Sequence, residues 1–508
     1  MRSLYLMPWL LAYLLISCGK PALAPAAATA SPNVVFIFSD DQTYASLGAL
    51  GNEHIHTPNL DRLVNSGTTF THTYNMGGWN GAICMASRAM LNSGRSIWAA
   101  RQQSERWAMG DTAAFAESWG RLLRAGGYRT YMSGKWHVEA AAATLFDTVA
   151  HVRPGMPADA WIRRRQQLAS DGTAYDDPDL PPAFGYNRPL HRADTAWLPT
   201  DTANGGFWEG GTHWSEVVRQ DAMNFLADAA KKEAPFFLYL AFNAPHDPRQ
   251  APQRFQDLYP VEAMPLPPAY REQHPDMLIM GSGPQLRDEG LAPYPRSPLA
   301  VRTHRSEYYA LISHLDEQIG VILDAVAISG RADNTYVIFT SDHGLSVGNH
   351  GLIGKQNMYD HSIRVPFVLA GPGIPAGKQI DTDIYLQDAM ATVLDLAGID
   401  RPGYLDFHSV LPLLEGGAGN YPAIYGMYTD RQRMIRKDGF KLIAYPAGPV
   451  LELYDLEADP HELNDLAADT GYRDRLTTLF AELRELQREM RDTLDISSVL
   501  PGYLGTLE

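Results

Sequence analysis

Three segments of the chain are almost continuously apolar and end at polar residues. They are residues 33–39, 236–242 and 336–340, and they are rich in β-branched and aromatic side chains. This pattern is typical of a strand buried on both faces of a parallel sheet, because neither face carries polar side chains. The three segments therefore predict central strands of an α/β sheet.

A helical pattern precedes the third of these strands. Its apolar residues recur every three or four positions, and they are Tyr308, Leu311, Ile312, Leu315, Ile319, Ile322 and Leu323. Gly330 marks the predicted end of this helix. Helices that alternate with buried strands indicate a wound sheet. We expect residues 33–400 to form a large, mostly parallel sheet flanked by helices.

Other regions depart from this pattern. Residues 140–211 and 260–302 show no clear periodicity. Loops of that length inside a compact domain are usually functional, and we interpret them as lids or substrate walls. After about Arg401 the segments become short, and an amphipathic helix with an apolar stripe from Leu476 to Met490 follows. We expect residues 401–508 to form a smaller α+β subdomain.

The beginning of the chain predicts export. Arg2 precedes an apolar run over residues 4–16. This run is shorter than the ~20 residues that span a bilayer, and it has the length of the apolar region of a signal peptide. We expect residues 1–32 to be a signal segment and tether, and the protein to lie in the periplasm or at the cell surface.

The residues before Cys18 resemble a bacterial lipobox. The segment reads Leu-Ile-Ser-Cys, and an alanine- and proline-rich stretch follows it at residues 21–32. Lipidation of Cys18 would attach the chain to a membrane through a flexible tether. The alternative is ordinary cleavage after Ala24 or Ala30, which end A-x-A patterns. Membrane contact is expected only through such an anchor.

Composition narrows the class of protein. Apolar residues make up 45% of the chain and charged residues 20%, which is typical of a globular enzyme. A formal net charge of −16 argues against a nucleic-acid partner, because such proteins usually present a basic surface. The chain has two cysteines. With Cys18 removed or acylated, Cys84 has no partner for a disulfide in an exported protein, and this calls for an explanation.

Polar residues of metal-ligand type follow the predicted strands. Asp40 and Asp41 follow the first strand, His246 comes shortly after the second, and Asp342 and His343 follow the third. Open α/β sheets place their sites at this edge. Three carboxylates favour Ca²⁺ or Mg²⁺, although a histidine ligand leaves the identity of the metal open. The alternative for Asp40 and Asp41 is a turn or a helix cap.

Cys84 begins the pattern C-x-A-x-R. Arg88 lies four residues further on, on the same face of a helix, where a cation can stabilise a charged sulfur. Taken alone the pattern is weak, because a lone cysteine is more often a small buried apolar residue.

Further motifs make the pattern specific. Residues 127–137 contain G-Y-x-T-x-x-x-G-K-x-H, which includes Lys135 and His137. The set is completed by Pro245-His246, Lys355, residues 362–366, Gly371-Pro372-Gly373 and residues 453–460. With Cys84, Arg88 and the aspartates, the chain resembles the type I sulfatases of the alkaline phosphatase superfamily from about Asn33 to Leu466.

The resemblance implies a nucleophile and a metal site. In that family a sulfatase-maturing enzyme oxidises the motif cysteine to formylglycine, whose hydrate attacks sulfur. Cys84 would be this residue, and Arg88 would orient it. The metal, most simply Ca²⁺, would be bound by Asp40, Asp41, Asp342 and His343 together with residue 84.

The resemblance also implies the charges and the proton carriers. Lys135 and Lys355 would neutralise the sulfonyl oxygens. His246, with Lys355, would protonate the leaving alcohol, and His137 would take the proton that allows sulfate to be eliminated.

Two positions depart from the family pattern. Ala86 stands where most members carry proline, and it resembles a minor bacterial variant of the signature. His343 stands where many members carry asparagine, and it resembles the iduronate-sulfatase branch. The first bears on maturation of Cys84 and the second on metal fit.

Aromatic residues and one neighbouring asparagine are candidate sugar contacts. The candidates are Trp79, Asn80, Trp208, His213 and Trp214. Because the chain is expected to be exported, sulfated glycans are favoured as substrates over a cytoplasmic metabolite, and the expected process is polysaccharide degradation. For the tryptophans, a core or loop-anchoring role is the alternative.

Two other functions stay open. A related formylglycine enzyme could cleave phosphonate monoesters or phosphodiesters, because these esters share tetrahedral geometry with sulfate esters. A chain with unmodified Cys84 could instead be a glycan-binding protein, although Lys135, His137, His246 and Lys355 favour catalysis.

Overall fold

The computed structural model describes residues 31–157, 188–195 and 197–507. Within it, eight strands form one large sheet built around β1 (Asn33–Ser39). The other seven are β2 (Thr68–Phe70), β5 (Arg129–Lys135), β6 (Thr148–Arg153), β9 (Phe236–Ala241), β10 (Thr335–Ser341), β12 (Phe367–Ala370) and β13 (Lys378–Ile380).

The sheet is mostly parallel, as predicted. Its order is β13-β2-β12-β10-β1-β9-β5-β6. The five strands from β10 to β6 run parallel, whereas β12 is antiparallel to both of its neighbours and β2 pairs with β13 in parallel. The carboxyl ends of β10, β1, β9 and β5 therefore meet at one edge.

The apolar character of β1 follows from burial on both faces. Phe36 and Phe38 pack with Trp119 in one core cluster, and Val35 and Ile37 pack with residues such as Leu315 in another. Since successive side chains of a strand point to opposite faces, both sets must be apolar. The prediction of central strands at residues 33–39, 236–242 and 336–340 is confirmed.

Helices cover both faces of this sheet and the regions around it. Those described are α1 (Pro58–Ser66), α2 (Ile83–Ser93), α3 (Ile97–Ala108), α4 (Thr112–Ala116), α5 (Trp119–Ala125), α6 (Ala142–Leu145), α7 (Trp214–Ala229), α8 (Gln253–Gln256), α9 (Pro298–Ile328), α10 (Asp360–Ile363), α11 (Asp388–Leu396), α12 (Leu411–Leu414), α13 (Arg473–Glu489) and α14 (Val499–Gly505). None in the described part of the chain has the length and hydropathy of a membrane-spanning helix.

A second sheet of five strands contains most of the late segments. It comprises β18 (Val450–Asp455), β17 (Phe440–Tyr445), β16 (Gln432–Lys437), β15 (Ile424–Tyr428) and the short β4 (Gly77–Gly78) in that order. Helix α13 packs on it through Leu476, Leu479 and Leu483. The predicted amphipathic helix is confirmed, and the short segments after Arg401 include these strands.

Strand β4 joins this sheet from the segment that leads to Cys84. Gly77 pairs with Met427 and Gly78 with Tyr428, parallel to β15. The φ angle of Gly77 is 88°, and a Cβ there would collide with the Met427 carbonyl oxygen, so only glycine allows this approach. Residues from Ser31 onward form one compact unit, and the boundary at residue 400 stays a prediction.

Two small sheets complete the strands. One joins β11 (Arg364–Val365), β3 (Thr73–Tyr74) and β14 (Ile384–Tyr385), and the other joins β7 (Trp208–Glu209) to β8 (Thr212–His213). The predicted export segment with Cys18, and residues 158–187 of the first nonperiodic stretch, lie outside the described residues.

A buried carboxyl makes stability depend on pH. Asp388, the first residue of α11, accepts hydrogen bonds from the Tyr421 hydroxyl and from the backbone N–H groups of His408 and Tyr385. Burial nevertheless raises the pKa of Asp388 to about 7. The folded state thus holds a proton that the unfolded chain loses near pH 4, so this stabilisation is complete below about pH 4 and is lost by about pH 7.

Asp388→Asn removes this proton equilibrium. We expect the stability of the parent relative to the variant to fall, on the order of 4 kcal/mol, between pH 4 and pH 7. Urea unfolding of both proteins across that range measures the difference. Parallel stability curves would contradict a raised pKa at Asp388.

Candidate active site

Acidic ligands from two neighbouring strands meet at the carboxyl edge of the large sheet. Asp40 and Asp41 follow β1, and Asp342 and His343 follow β10. Together with Cys84, each of these residues offers a donor atom, and the five atoms lie within 4.8 Å of one another. All five side chains are buried. The predicted metal ligands therefore form one cluster.

Cys84 enters this cluster from the N-terminus of α2. Its Sγ lies 3.4 Å from Asp40 Oδ1, 3.3 Å from His343 Nε2 and 3.0 Å from Lys355 Nζ. Cys84 is the second residue of the helix, where the unpaired backbone N–H groups favour negative charge. Cys84 is only 2% exposed.

The charges around Cys84 favour its ionised form. Burial alone would raise the pKa of the thiol, but Lys135, Lys355 and His343 outweigh burial and hold it well below its usual value. The position is therefore built to carry a negatively charged or strongly polarised group.

Arg88 lies behind the cysteine rather than beside its sulfur. Its Nε donates to Asp342 Oδ2 at 3.0 Å and its Nη1 donates to the Lys135 carbonyl at 2.8 Å. The guanidinium also stacks on the ring of Phe38. The sequence predicted Arg88 as the cationic neighbour of Cys84. In the structure Lys355 contacts the sulfur, while Arg88 joins β5 to the predicted metal ligand Asp342.

Lys135 and Lys355 bring two buried positive charges to the cluster. Lys135, the last residue of β5, contacts Asp40, and Lys355 donates to Asp41 Oδ1 at 2.6 Å. Burial lowers the pKa of each ammonium, but their acidic neighbours outweigh it and raise both pKa values. Both side chains therefore stay protonated at neutral pH.

The acidic cluster fits a hard divalent cation. Asp40, Asp41 and Asp342 are each at most 1% exposed. Burial, with Asp342 and Cys84 nearby, raises the pKa of Asp40 well above its usual value despite Lys135. Several anionic groups in one buried site carry a desolvation cost. A bound cation offsets this cost. The carboxylate oxygens suit Ca²⁺ or Mg²⁺, whereas the imidazole of His343 leaves the identity of the metal open.

Hydrogen bonds fix the orientation of the ligands after β10. His343 Nδ1 donates to the Gly344 carbonyl at 2.8 Å, which leaves Nε2 as the atom that faces the cluster. The Asp342 carbonyl accepts from Ser87 Oγ at 2.8 Å and from the side-chain amide of Asn75. Asn75 was not predicted, because a lone asparagine outside a motif carries no signal in the sequence.

His246 lies on the other side of Asp41. Its Nδ1 donates to the Asp247 carbonyl at 2.7 Å, and its Nε2 lies 3.8 Å from Asp41 Oδ2. The loop after β9, residues 243–250, is buried throughout. The side chain is thus held so that Nε2 faces the cluster and can exchange a proton there.

His137 approaches from the end of β5. It is half-buried, and its φ angle of 53° lies in the left-handed region. A Cβ on Gly155 would lie within 3 Å of the His137 ring, so glycine makes room for it. Burial lowers the pKa of His137 although the nearby Cys84 raises it. A neutral imidazole at this place can act as a base.

A polar rim that the sequence did not predict adjoins His246 and Lys355. Arg287 forms ion pairs with Asp247 and Asp288, and Gln356 donates to Asp288 Oδ2 at 2.8 Å. Arg287 and Asp288 come from the nonperiodic stretch at 260–302, for which the sequence predicts a lid or substrate wall. Only tertiary contacts show which residues of that stretch reach the site.

The candidate sugar contacts occupy two places. Trp79 and Asn80 are half-buried and lead into α2, and Asn80 Oδ1 accepts the Ala82 N–H at 3.0 Å. No hydrogen bond or ring contact between described residues links Trp208, His213 or Trp214 to Cys84.

His213 has a structural role instead. It is fully buried, its Nδ1 accepts the Ser215 N–H at the start of α7, and its Nε2 donates to the Gln250 carbonyl. Trp214 is buried beside Arg153, and Trp208 packs edge-on against His213. These contacts give His213 and the two tryptophans packing roles, and sugar contact by any of the three stays a prediction. Sugar contact by Trp79 and Asn80 stays a prediction.

Comparison with known proteins agrees with this geometry. The family model described as Sulfatase matches residues 32–399, and that described as N-sulphoglucosamine sulphohydrolase, C-terminal, matches residues 348–489. An arylsulfatase of Clostridium perfringens is 28% identical, with 93% of this chain and 98% of the relative covered. An N-acetylglucosamine-6-O-sulfatase of Bacteroides thetaiotaomicron is 26% identical, with coverage of 96% and 91%.

A solved structure shares the fold. It holds its substrate D-glucosamine-2-N,6-O-disulfate, and it superposes with a TM-score of 0.66 at 22% identity over 91% of this chain and 99% of its own. The first family model spans well over half of the 508 residues. The chain therefore belongs to the sulfatase family of the alkaline phosphatase superfamily, and it is a sulfuric ester hydrolase.

Proposed function

We propose that this protein removes sulfate from carbohydrate, with residue 84 converted to formylglycine and with a divalent cation, most simply Ca²⁺, in the acidic cluster. The observation that carries the proposal is the meeting of Cys84 with Asp40, Asp41, Asp342 and His343 beside two buried lysines. The similar N-acetylglucosamine-6-O-sulfatase supports a sugar substrate.

Each reactive group would have a defined part. Formylglycine, as its hydrate, would supply two hydroxyl groups at position 84, one of which serves as the nucleophile toward sulfur. Asp40, Asp41, Asp342, His343 and residue 84 would hold the cation, which supplies Lewis-acid polarisation of the sulfonyl oxygens. The protein's own side chains supply the fixed charges and the proton carriers.

Lys135 and Lys355 stabilise charge on the sulfonyl group. Both are buried and protonated beside residue 84, so the positive charge is in place before the reaction begins. Preorganised charge of this kind needs no reorganisation during the reaction, which is why it lowers the barrier.

The two histidines carry protons in opposite directions. His246 presents Nε2 because Nδ1 is occupied by the Asp247 carbonyl, so it delivers a proton to the departing sugar oxygen. His137, whose pKa is lowered by burial, accepts the proton from the second hydroxyl at residue 84 as sulfate leaves. The proposal thus assigns a leaving-group acid and an elimination base.

The proposal includes maturation and export. A sulfatase-maturing enzyme would act on Cys84, with Ala86 in the variant signature. The N-terminal segment would direct the chain to the periplasm or cell surface, with Cys18 as the lipid attachment point. The apolar run at residues 4–16 and the lipobox-like residues before Cys18 support this part.

Mass spectrometry and a substrate panel test the proposal. We expect the peptide containing residue 84, from protein produced with a sulfatase-maturing enzyme, to carry formylglycine. The same protein should release sulfate from members of a sulfated glycan panel and favour aryl sulfate over the matched aryl phosphate. An unmodified cysteine together with no sulfate release would refute the mechanism, and a strong phosphate preference would favour the phosphonate and phosphodiester alternative.

A further inference from the structure

Arg249 is a buried cation in the loop that carries His246. It lies three residues after His246 and is 3% exposed. The chain turns tightly here, since the His246 N–H donates to the Asn243 carbonyl and the Gln250 N–H donates to the Pro248 carbonyl. The guanidinium is therefore carried by a tightly turned, buried loop that also carries His246.

A histidine on α9 orients this guanidinium. Arg249 Nη1 lies 2.6 Å from His304 Nδ1, and His304 Nε2 lies 2.8 Å from the Arg188 carbonyl. A carbonyl only accepts, so His304 must carry its proton on Nε2 and accept from Arg249 through Nδ1. One N–H of the guanidinium is thereby fixed by a neutral partner.

The charge of Arg249 has no close counter-ion. No carboxylate among the described residues lies within 4.0 Å of it, and its buried Nε–H has no hydrogen-bond partner. Neighbouring buried arginines differ: Arg287 pairs with Asp247 and Asp288, and Arg296 with Glu289. Burying a cation without a counter-ion destabilises a fold, so this exception calls for a function.

Arg249 also interacts electrostatically with two carboxylates of this region. Burial lowers the pKa of Arg249, and the carboxylates of Asp247 and Asp41 oppose this by raising it. Asp41 is a predicted metal ligand, and Asp247 holds His246 in place. The charge of the sulfate ester that is cleaved already faces Lys135 and Lys355. Arg249 is therefore an additional buried cation in the loop that also carries His246, the proposed leaving-group acid.

We propose that Arg249 binds a second anionic group of the substrate, a carboxylate or a further sulfate on the sugar that carries the cleaved ester. This inference rests on the proposed function and narrows the substrate class from sulfated carbohydrate to polyanionic carbohydrate. The planar guanidinium fork matches both anions, and the free Nε–H provides a donor for one of their oxygens. Binding of the anion supplies the missing counter-ion.

Matched substrates test this role. Kinetics of the parent, Arg249→Met and Arg249→Lys are compared on pairs of sulfated sugars that differ only in a second sulfate or in a carboxylate. We expect Arg249→Met to lose about 10- to 100-fold in kcat/KM on the doubly charged member, mainly through KM, and less than about threefold on the singly charged one. Arg249→Lys should fall between, because it keeps the charge and loses the fork.

The two arms of the panel identify the anion. A loss confined to the disulfated pair assigns a sulfate site, and a loss confined to the uronate pair assigns a carboxylate site. Equal losses on singly and doubly charged substrates, or a parent enzyme that shows no preference for the second anion, would overturn the inference. Sulfate release from aryl sulfate by the parent keeps this failure distinct from failure of the proposed function.

Stability separates a binding role from a structural one. Arg249→Met should keep or raise the Tm, because it removes a buried charge without a close counter-ion. The control is Arg433→Met in the second sheet, which deprives the buried Asp492 of its ion-pair partner and should lower the Tm by several degrees. An equal fall of Tm in both variants would overturn the inference.

Discussion

Cys84→Ala is expected to abolish sulfate release, with a loss of at least about 10⁴-fold in kcat. The substitution removes the only atom of residue 84 that reaches the acidic cluster, and alanine cannot be converted to formylglycine. The fold should tolerate it, because a small cavity at the start of α2 costs on the order of 1 kcal/mol. Sulfate release from purified protein, with the Tm as a check of folding, measures the effect.

Cys18→Ala is the control for this variant. It replaces the other cysteine of the chain, in the segment predicted to direct export. We expect it to leave kcat on soluble substrate unchanged and to alter only membrane attachment. Turnover that survived in Cys84→Ala would contradict a nucleophile at position 84.

His246→Gln is expected to affect substrates according to their leaving group. A sugar alkoxide is a poor leaving group and needs a proton, so its release should slow by about 10²- to 10⁴-fold. A nitrophenolate leaves without a proton, and its release should slow by less than about tenfold. Steady-state kinetics on a sulfated sugar and on 4-nitrophenyl sulfate provide the comparison.

His461→Gln serves as the control, because His461 is exposed and lies outside the cluster. It should change neither rate. If His246→Gln slowed both substrates equally, the side chain would act in binding or in holding Asp41 rather than in proton transfer. The size of the difference between the two substrates therefore measures the contribution of the acid.

The central strands could be predicted because burial on two faces requires apolar residues at every position, as in residues 33–39. Strand β5 could not be predicted from an apolar pattern, because its end carries Ser133, Gly134 and Lys135. Strand β6 is half-exposed at the edge of the sheet and has no strong periodicity. The apolar pattern of the sequence thus identifies strands that are buried on both faces. It misses strands that are stabilised mainly by pairing with their neighbours in the sheet.

The same limit applies to the site. Asp40, Asp41, Asp342 and His343 were predicted to meet because carboxyl ends of parallel strands share one edge, and the structure brings them together. The contact between Lys355 and Cys84 depends on a loop whose path the sequence does not determine.

Some residues around the site could not be predicted from the sequence. Asn75, Asp288 and Arg249 act through contacts with residues far away in the sequence, and each was invisible as an isolated residue. The motifs therefore indicated the chemistry, and the tertiary structure was needed to find what holds the reactive groups in place.

The pairing of β4 with β15 determines when the segment before Cys84 can fold. The segment that leads into Cys84 finds its partner strand only when Met427 and Tyr428 have been made, after most of the chain. Until then this segment lacks an edge to dock on. In the folded protein Cys84 is 2% exposed, so another enzyme can reach it only before β4 has paired with β15. The proposed maturation of residue 84 therefore has to take place before β4 docks on β15.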